Sequence, residues 1–442
     1  MVSDQKVSTD YVIQGGDLLS HTVHRHEPGV AVHSDKSPFV SIVSETSDVL
    51  VVDKPGTLPI HPCGGYHVQS LMNILEPQFG KLYTIHRLDR LTSGIVILGK
   101  TTSVAQRLAK CVMDRHCKKL YLARVVGKFP LKAQTNLALT EVPVNGEWSQ
   151  SLDETEVGGP KDQDPVELAR RKNACGYWMT DPLGNVQTGV TLQNVFDARR
   201  NEEDWLQCLS DGEASSDDMY WFHLACPTRI AQPKDGICLA GTFNDLDSET
   251  YLKTVKPAQT SFAVLRYDPE TDSTILLCHP VTGRTHQIRL HLQYLGHPIA
   301  NDPNYGGDMW YGNPSGLEMC RKAQAKLNEI NASNKEEIDR LNQGKSELAV
   351  STSSARIDLP ATEEEIQTGV LQASRNEAET IDDFVKRTCV WCARSRTGGT
   401  DRGTLEFLIR SPGIWLHALQ YSFEGLDGGT ATFRTPLPSW SQ

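Results

Sequence analysis

The 442-residue sequence predicts an α+β fold. Short apolar runs that end at Pro, Gly or a charged residue are typical of buried strands. Between them lie segments in which apolar residues recur at helical spacing. The sequence has no run of about 18 apolar residues, so we expect no membrane-spanning helix.

The first half of the predicted core has two buried strands and a helix. Residues 48–54, DVLVVDK, predict a strand that ends at the turn residues Pro55 and Gly56. Residues 94–100, GIVILGK, predict a second strand, and residues 101–115 predict a helix. The apolar face of this helix should comprise Val104, Leu108, Val112 and Met113.

Three further strands and one helix complete the predicted core. Residues 119–126 alternate in polarity, and residues 260–267 and 274–278 are rich in strand-forming side chains. Residues 285–295, THQIRLHLQYL, predict a helix that stops at Gly296.

Two polar stretches interrupt this pattern, near residues 145–220 and 312–387. Between residues 151 and 220 there are 15 acidic side chains and six basic ones. We interpret both stretches as acidic insertions, partly helical and partly disordered, that do not carry the core. The alternative is that they are surface segments of a second domain.

Positive charge is concentrated in residues 81–130, although the whole chain has a net charge of −11. This basic segment has eleven Lys and Arg residues and only two acids, Asp89 and Asp114. Such a block is expected where a protein contacts nucleic-acid phosphates. A solvated basic surface is the alternative.

The eleven cysteines are scattered and odd in number, which favours reduced thiols over a disulfide framework. The first residues lack the apolar core of a secretory signal. We therefore expect a cytoplasmic protein, with the nucleus and mitochondrion left open. Cys389 and Cys392 form one CxxC pair, which is half of a zinc site and lacks a second pair at suitable spacing.

Asp89 is an acid placed among bases in the stretch YTIHRLDRLTSG, residues 83–94. Neighbouring Arg87 and Arg90 should keep its carboxylate ionised. An ionised carboxylate at the start of a strand can act as a nucleophile or a general base. A structural Arg–Asp pair is the alternative interpretation.

Residues 279–307 form a second cluster of basic side chains. Its members are Arg284, His286, Arg289, His291 and His297. Metal binding by the histidines is disfavoured, because His286 and His291 are five residues apart and do not share a helical face. The other interpretation is a basic helix in a cleft, with Arg289 directed at an anion or carboxylate. The sequence also lacks GxSxG, P-loop and Rossmann motifs.

Five blocks in this order resemble the RluA-type pseudouridine synthase family. They are VVDKPGTLPIHP (51–62), HRLDRLTSGIVILGK (86–100), KLYLARVVG (119–127), VTGRTHQIRLHLQYLGHPIANDPNYGG (281–307) and GIWLHALQY (413–421). The resemblance is greatest to the eukaryotic tRNA branch. It implies a pseudouridine synthase fold with a long mixed or antiparallel central sheet, flanked by helices and loops around a catalytic cleft.

The resemblance also implies a domain organisation. Residues 1–37 resemble the tail of a small RNA-binding domain, and residues 38–442 form the catalytic domain with its acidic insertions. The expected substrate is RNA, and within RNA the resemblance points to tRNA and to position 32 of its anticodon loop. The resemblance implies no cofactor or metal. We expect a monomer that does not bind membranes.

Site residues follow from the matching blocks. Asp89 matches the family's essential aspartate, and Tyr121 matches an aromatic that stacks on the target base and acts in proton abstraction. Arg289 matches the basic residue that pairs with the aspartate. The predicted RNA-binding residues are Arg87, which would enter the space left by a flipped base, and His86, Arg90, Arg284, His286 and Leu416.

Three alternatives stay open. One is a non-catalytic RNA-binding or chaperone protein on the same fold, and another is a synthase that acts on rRNA or mRNA. The third is an interaction scaffold in which the acidic insertions do the main work. A glycosidase is disfavoured, because no second carboxylate accompanies Asp89 in the matched blocks.

Overall fold

The main feature of the structure, a computed structural model, is a 13-stranded β-sheet. The structure describes residues 40–64, 66–129, 219–232, 237–302, 304–307, 413–426 and 429–441, together with 10–18, 27, 30, 140–141, 166, 169–170, 173 and 175–187. Within these ranges no helix is long and apolar enough to cross a membrane.

The strands follow one another along the chain with helices between them. Their bounds are β1 Ser41–Glu45, β2 Val49–Lys54, β3 Tyr83–Thr84, β4 Ser93–Gly99, β5 Cys117–Val126, β6 Thr140–Glu141, β7 Gly176–Thr180, β8 Val186–Gln187, β9 Trp221–Ala225, β10 Thr228–Gln232, β11 Ile237–Ala240, β12 Val255–Lys256, β13 Gln259–Asp268, β14 Ser273–Pro280, β15 Leu416–Leu426 and β16 Gly429–Arg434. The helices are α1 Leu71–Phe79, α2 Thr102–Met113, α3 Ser248–Thr254 and α4 Gln287–Tyr294, and Ser439–Ser441 form a 3₁₀ turn.

The main sheet is mixed. Its strand order is β1-β2-β4-β15-β5-β14-β13-β9-β7-β6, and β16, β3 and β8 pair with β15, β4 and β7 respectively. The β4–β15 and β6–β7 pairs are parallel, and the other pairs are antiparallel. The predicted α+β class with a long mixed sheet is therefore confirmed. A second sheet has the order β11-β10-β12.

Sheet order explains why the predicted apolar runs have no polar face. The side chains of Val49, Leu50, Val51 and Val52 in β2 are all buried, as are those of Ile95, Val96, Ile97 and Leu98 in β4. Both strands lie inside the sheet, so each face packs against other parts of the core. The strand predictions for residues 48–54 and 94–100 are confirmed.

Helix α2 confirms the prediction for residues 101–115, with one error about its apolar face. The helix begins after Thr101, whose hydroxyl caps it by accepting a hydrogen bond from the Val104 amide. Leu108 is buried, but Met113 is 77% exposed. Met113 is the last residue of the helix, whereas Val104 and Val112 are partly buried and pack against the main core.

Strand β7 corrects the interpretation of residues 145–220 as an insertion without core residues. Gly176–Thr180 pairs with β9 in the main sheet, and Trp178 and Met179 are buried. The stretch is acidic on average, but it contains this five-residue strand, GYWMT. The apolar side chains of the strand are sufficient for it to join the sheet. The predicted insertion at 312–387 lies outside the described residues.

Candidate active site

Asp89 lies in the loop between β3 and β4, and this loop is anchored on both sides. Leu88 and Leu91 are buried in the main core, while the Asp89 side chain is 33% exposed. The Thr92 amide donates to the Asp89 carbonyl at 3.1 Å. Since the flanking leucines point inward, the carboxylate of Asp89 is held at the surface of a rigid loop.

Lys54, at the end of β2, is hydrogen-bonded to the same loop. Its ammonium is fully buried and donates to the carbonyl oxygens of Pro55, Leu58 and Arg90 at 2.9, 2.9 and 3.3 Å. Burial lowers the pKa of Lys54 to about 7, although the negative charge of Asp89 opposes this shift. Lys54 thus joins β2 to the residue that follows Asp89.

Arg289 lies between two carboxylates. Its Nε and Nη2 donate to Asp302 at 2.6 and 2.8 Å, and its Nη1 approaches Asp89 Oδ2 at 3.4 Å. Asp302 is completely buried. Burial alone would lower the pKa of Arg289, but the hydrogen bonds and charge of Asp302, with the charge of Asp89, raise it. The guanidinium is therefore a fixed cation beside the exposed carboxylate.

Helix α4, which carries Arg289, is preceded by a residue with an unusual backbone conformation. His286 has φ +55°, the left-handed region that side chains other than glycine rarely adopt. Its Nδ1 lies 2.7 Å from the Tyr305 hydroxyl, and its Nε2 lies 3.7 Å from Asp89 Oδ2. The Tyr305 ring also covers the Arg289 guanidinium at 4.7 Å. Burial lowers the pKa of His286 despite the nearby Asp89 charge.

Tyr121 reaches the same site from strand β5. Its hydroxyl lies 2.5 Å from the hydroxyl of Tyr421 on β15. Burial raises the pKa of Tyr121, the hydrogen bond to Tyr421 lowers it, and the negative charge of Asp89 raises it further. The structure therefore brings together Asp89, Tyr121 and Arg289, which are separated by up to 200 residues in the sequence.

The charged contacts of Asp89 include Arg289, the partner that the resemblance implied, but not its neighbours in the sequence. Its carboxylate contacts Arg289 and His286, not its sequence neighbours Arg87 and Arg90. Arg87 is exposed, and Arg90 turns towards Tyr66, whose hydroxyl lies 3.3 Å from Arg90 Nη1. Successive residues of an extended loop point in different directions, so closeness in sequence did not produce contact.

The remaining predicted RNA-binding residues divide between the surface and the interior. Arg284 is exposed, and its Nε donates to the Pro257 carbonyl at 3.0 Å. Leu416 is buried at the start of β15. The His86 ring packs against Tyr421 at 4.6 Å, and its Nε2 accepts a hydrogen bond from the Ile97 amide. Burial lowers the pKa of His86 to about 4, and its ring supports β4 through the Ile97 amide.

The histidines of residues 279–307 do not form a metal site. His291 lies 2.9 Å from the Thr260 hydroxyl and 2.8 Å from the Cys226 carbonyl, and His297 lies 2.9 Å from the Val126 carbonyl. In the part of the chain that the structure describes, no group of three or more His, Cys, Asp or Glu side chains could hold a metal ion. Cys389 and Cys392 lie outside it.

Four residues of this site were not singled out in the sequence. They are Lys54, Asp302, Tyr305 and Tyr421. All four lie within the blocks quoted above, but no contrast with their neighbours marks them, whereas the charge of Asp89 differs from that of the residues around it. The signal that could have found Asp302 is the electrostatic requirement of Arg289, since a buried guanidinium needs a carboxylate partner.

Together these groups form an exposed carboxylate beside a fixed cation, with a buried phenol close by. Such a site can stabilise the ionised carboxylate and direct it at an electron-poor carbon, while the phenol exchanges a proton. The exposed Arg87 and Arg284 supply positive charge outside this centre.

Comparisons with known proteins agree on one family. The family described as "RNA pseudouridylate synthase" matches residues 48–294. "Pseudouridylate synthase RPUSD2" from Homo sapiens is 27% identical over 98% of this chain and 62% of its own length. Two Saccharomyces cerevisiae proteins are also similar. The protein named "tRNA pseudouridine(32) synthase, mitochondrial" is 30% identical over 71% of this chain and 46% of its own length. The protein named "tRNA pseudouridine(31) synthase" is 25% identical over 100% of this chain and 81% of its own length. The chain thus spans less than two thirds of the human relative.

Proposed function

Because the chain belongs to the RNA pseudouridylate synthase family, we propose that it isomerises uridine to pseudouridine in structured RNA, with tRNA as its substrate. The observation that carries the proposal is the pairing of Asp89 with Arg289 at 3.4 Å beside Tyr121. The names of two similar yeast proteins, which refer to tRNA positions 31 and 32, support the anticodon loop as the target. Position 32 is the position we propose.

The reaction exchanges bonds within one substrate. The C1′–N1 bond breaks, the uracil turns, the C1′–C5 bond forms, and the proton on C5 leaves while N1 gains one. Atoms and charges balance, so the proposed reaction needs no cofactor. Asp89 would start it, either by attack on the sugar or base or by assisting elimination to a glycal.

Each other group has a proposed role around Asp89. Arg289 keeps a positive charge beside the Asp89 carboxylate while the bound base excludes water. Tyr121 stacks on the uracil and exchanges the C5 proton. A uridine inside a folded loop must first leave its stack, which costs roughly a few kcal/mol. Arg87, which is exposed, would occupy the space that the base leaves.

The proposal is tested by mapping pseudouridine in tRNA transcripts after incubation with the wild type, Asp89→Asn and Asp245→Asn. Asp245 is an exposed aspartate that is not one of the site residues described above, and it serves as the matched control. We expect the wild type and the control to modify one uridine of the anticodon loop. Asp89→Asn should bind the same RNA with unchanged affinity and modify nothing.

Different results would revise different parts of the proposal. Modification at position 31 would correct the position, and modification of rRNA or mRNA in place of tRNA would overturn the substrate. Activity in Asp89→Asn would remove Asp89 from the mechanism. If the wild type binds RNA but modifies none, the protein is an RNA-binding or chaperone protein.

A further inference from the structure

Tyr421 is a buried residue next to the site that the proposed reaction does not use. In the pairing of β15 with β5, Tyr421 lies opposite Lys119, and Ala418 lies opposite Tyr121. Lys119 and Tyr121 are two positions apart and share a face of the sheet. Tyr421 is therefore a diagonal neighbour of Tyr121, and the two ring centroids are 6.1 Å apart.

The direction of the hydrogen bond between these tyrosines follows from their surroundings. Tyr421 is 1% exposed, and among the described residues Tyr121 is its hydrogen-bond partner. Tyr121 is 9% exposed and is the less buried of the two residues. A buried hydroxyl that donates to nothing is unfavourable, so we assign the Tyr421 O–H as the donor and Tyr121 Oη as the acceptor.

The hydrogen bond from Tyr421 acts on the pKa of Tyr121 in the opposite direction to burial and to the charge of Asp89. Burial and the charge of Asp89 both oppose negative charge on Tyr121 and raise its pKa, whereas the Tyr421 hydrogen bond lowers it. Tyr421 thus supplies a donor at the point where the surroundings otherwise disfavour a phenolate.

We propose that Tyr421 is a positioning residue for the isomerisation, an inference that rests on the proposed function. Its O–H fixes the position of Tyr121 Oη and stabilises the negative charge that develops there while Tyr121 exchanges a proton with the uracil. Tyr421 itself does not touch the substrate, because Tyr121 lies between it and the site.

The kinetic test compares Tyr421→Phe with Tyr251→Phe. Tyr251 lies in helix α3 and, like Tyr421, is 1% exposed. The change to Phe removes a buried hydroxyl from a residue that is not part of the site, so Tyr251→Phe is the matched control. We expect Tyr421→Phe to lower kcat about tenfold with KM for the RNA unchanged, as for the loss of one hydrogen bond to a charged group. Tyr251→Phe should leave both constants unchanged. An unchanged kcat in Tyr421→Phe would overturn the inference.

A double variant separates positioning from general stability. If Tyr421 acts through Tyr121, then Tyr121→Phe/Tyr421→Phe is no slower than Tyr121→Phe alone. Independent, multiplying losses in the double variant would overturn the inference, because they would show that Tyr421 affects catalysis by another route.

A spectroscopic measurement tests the hydrogen bond without any turnover. In protein labelled with ¹³C at tyrosine Cζ, the Tyr121 signal is assigned by its loss in Tyr121→Phe. We expect this signal to move in Tyr421→Phe and to stay in place in Tyr251→Phe. An unmoved signal would overturn the inference even if the wild type is active. Inactivity of the wild type on every RNA, with the signal moving, would instead overturn the proposed function.

Discussion

Asp302 binds Arg289 through two hydrogen bonds of 2.6 and 2.8 Å, whereas Asp89 lies 3.4 Å from the same guanidinium. The buried carboxylate of Asp302 therefore fixes the position of the Arg289 guanidinium. The exposed carboxylate of Asp89 makes a longer contact with the same positive charge. This division leaves Asp89 close to a cation but free to leave it for the substrate.

The Asp302–Arg289 pair leads to the first prediction. Asp302→Ala should lower the free energy of unfolding by about 3–5 kcal/mol, because it leaves a buried guanidinium without its partner. Arg289→Met/Asp302→Leu should regain most of that loss, since no buried charge remains, yet should form no pseudouridine. Urea denaturation and single-turnover assays measure the two effects. A double variant with wild-type activity would contradict the role of Arg289.

Lys54 should make stability depend on pH above neutrality. The unfolded lysine keeps its proton up to a pKa near 10.5, but the folded one releases it above about 7. Between these values the unfolded state binds more protons, so stability rises with pH. The unfolding free energy of the wild type relative to Lys54→Met should increase by roughly 1.4 kcal/mol per pH unit at the steepest point. Denaturation at pH 7, 8 and 9 measures this difference, and a flat difference would contradict it.

His417 should contribute acid sensitivity. The neutral ring lies 2.9 Å from the Ser93 hydroxyl and 2.7 Å from the Thr435 hydroxyl. Burial, and then the charge of Lys54, lower its pKa to about 3. The stability that this low pKa contributes is complete above pH 6.5 and declines as the pH falls towards 3, because the unfolded ring gains its proton first.

The corresponding measurement compares the wild type with His417→Gln from pH 7 to pH 4. The wild type should lose up to roughly 1.4 kcal/mol of unfolding free energy per pH unit more than the variant. Equal slopes for the two proteins would show that the His417 ring is not held in its neutral form.

Gly94 should not tolerate a side chain. Its φ is +114°, and an added Cβ would lie 2.3 Å from the Ala418 carbonyl oxygen on the parallel strand β15. Gly94→Ala should lower the free energy of unfolding by about 3 kcal/mol or more, because strand β4 must move away from β15. Gly429→Ala is the control, since a Cβ there meets nothing within 4 Å. Thermal unfolding that is unchanged in Gly94→Ala would contradict the close approach of the strands.

Binding of tRNA should depend steeply on salt. Each phosphate contact releases counterions, so log K should fall linearly with log salt concentration. Arg87→Met should reduce the magnitude of this slope by about 0.7–0.9 if Arg87 contacts one phosphate. Lys253→Met, an exposed residue paired with Glu249, is the control and should leave the slope unchanged. A salt-independent affinity of the wild type would show that the basic segment does not bind RNA.

Much of the fold could be predicted because its signals are local. The apolar runs of β2 and β4, the helical spacing and Thr cap of α2, and the glycine after α4 each lie within a few residues. The RluA-type resemblance, which the comparisons confirm, came from short blocks in order. Strand β7 was not predicted within residues 145–220, because it is short and its few apolar side chains are outnumbered by the acidic residues around it.

The sequence by itself determined the main strands and helices and the family, and it singled out Asp89 as a candidate, since these depend on local patterns and on charges that differ from their neighbours. Only the tertiary structure decided the partners. The order of β2, β4, β15 and β5 in the sheet places Lys54 under the Asp89 loop and Tyr421 beside Tyr121. The fold likewise turned Arg90 towards Tyr66 and gave Asp89 the partners Arg289 and His286. Contacts over 200 or more residues are set by sheet order and by the need of buried charges for partners, and neither is written in any local stretch of the chain.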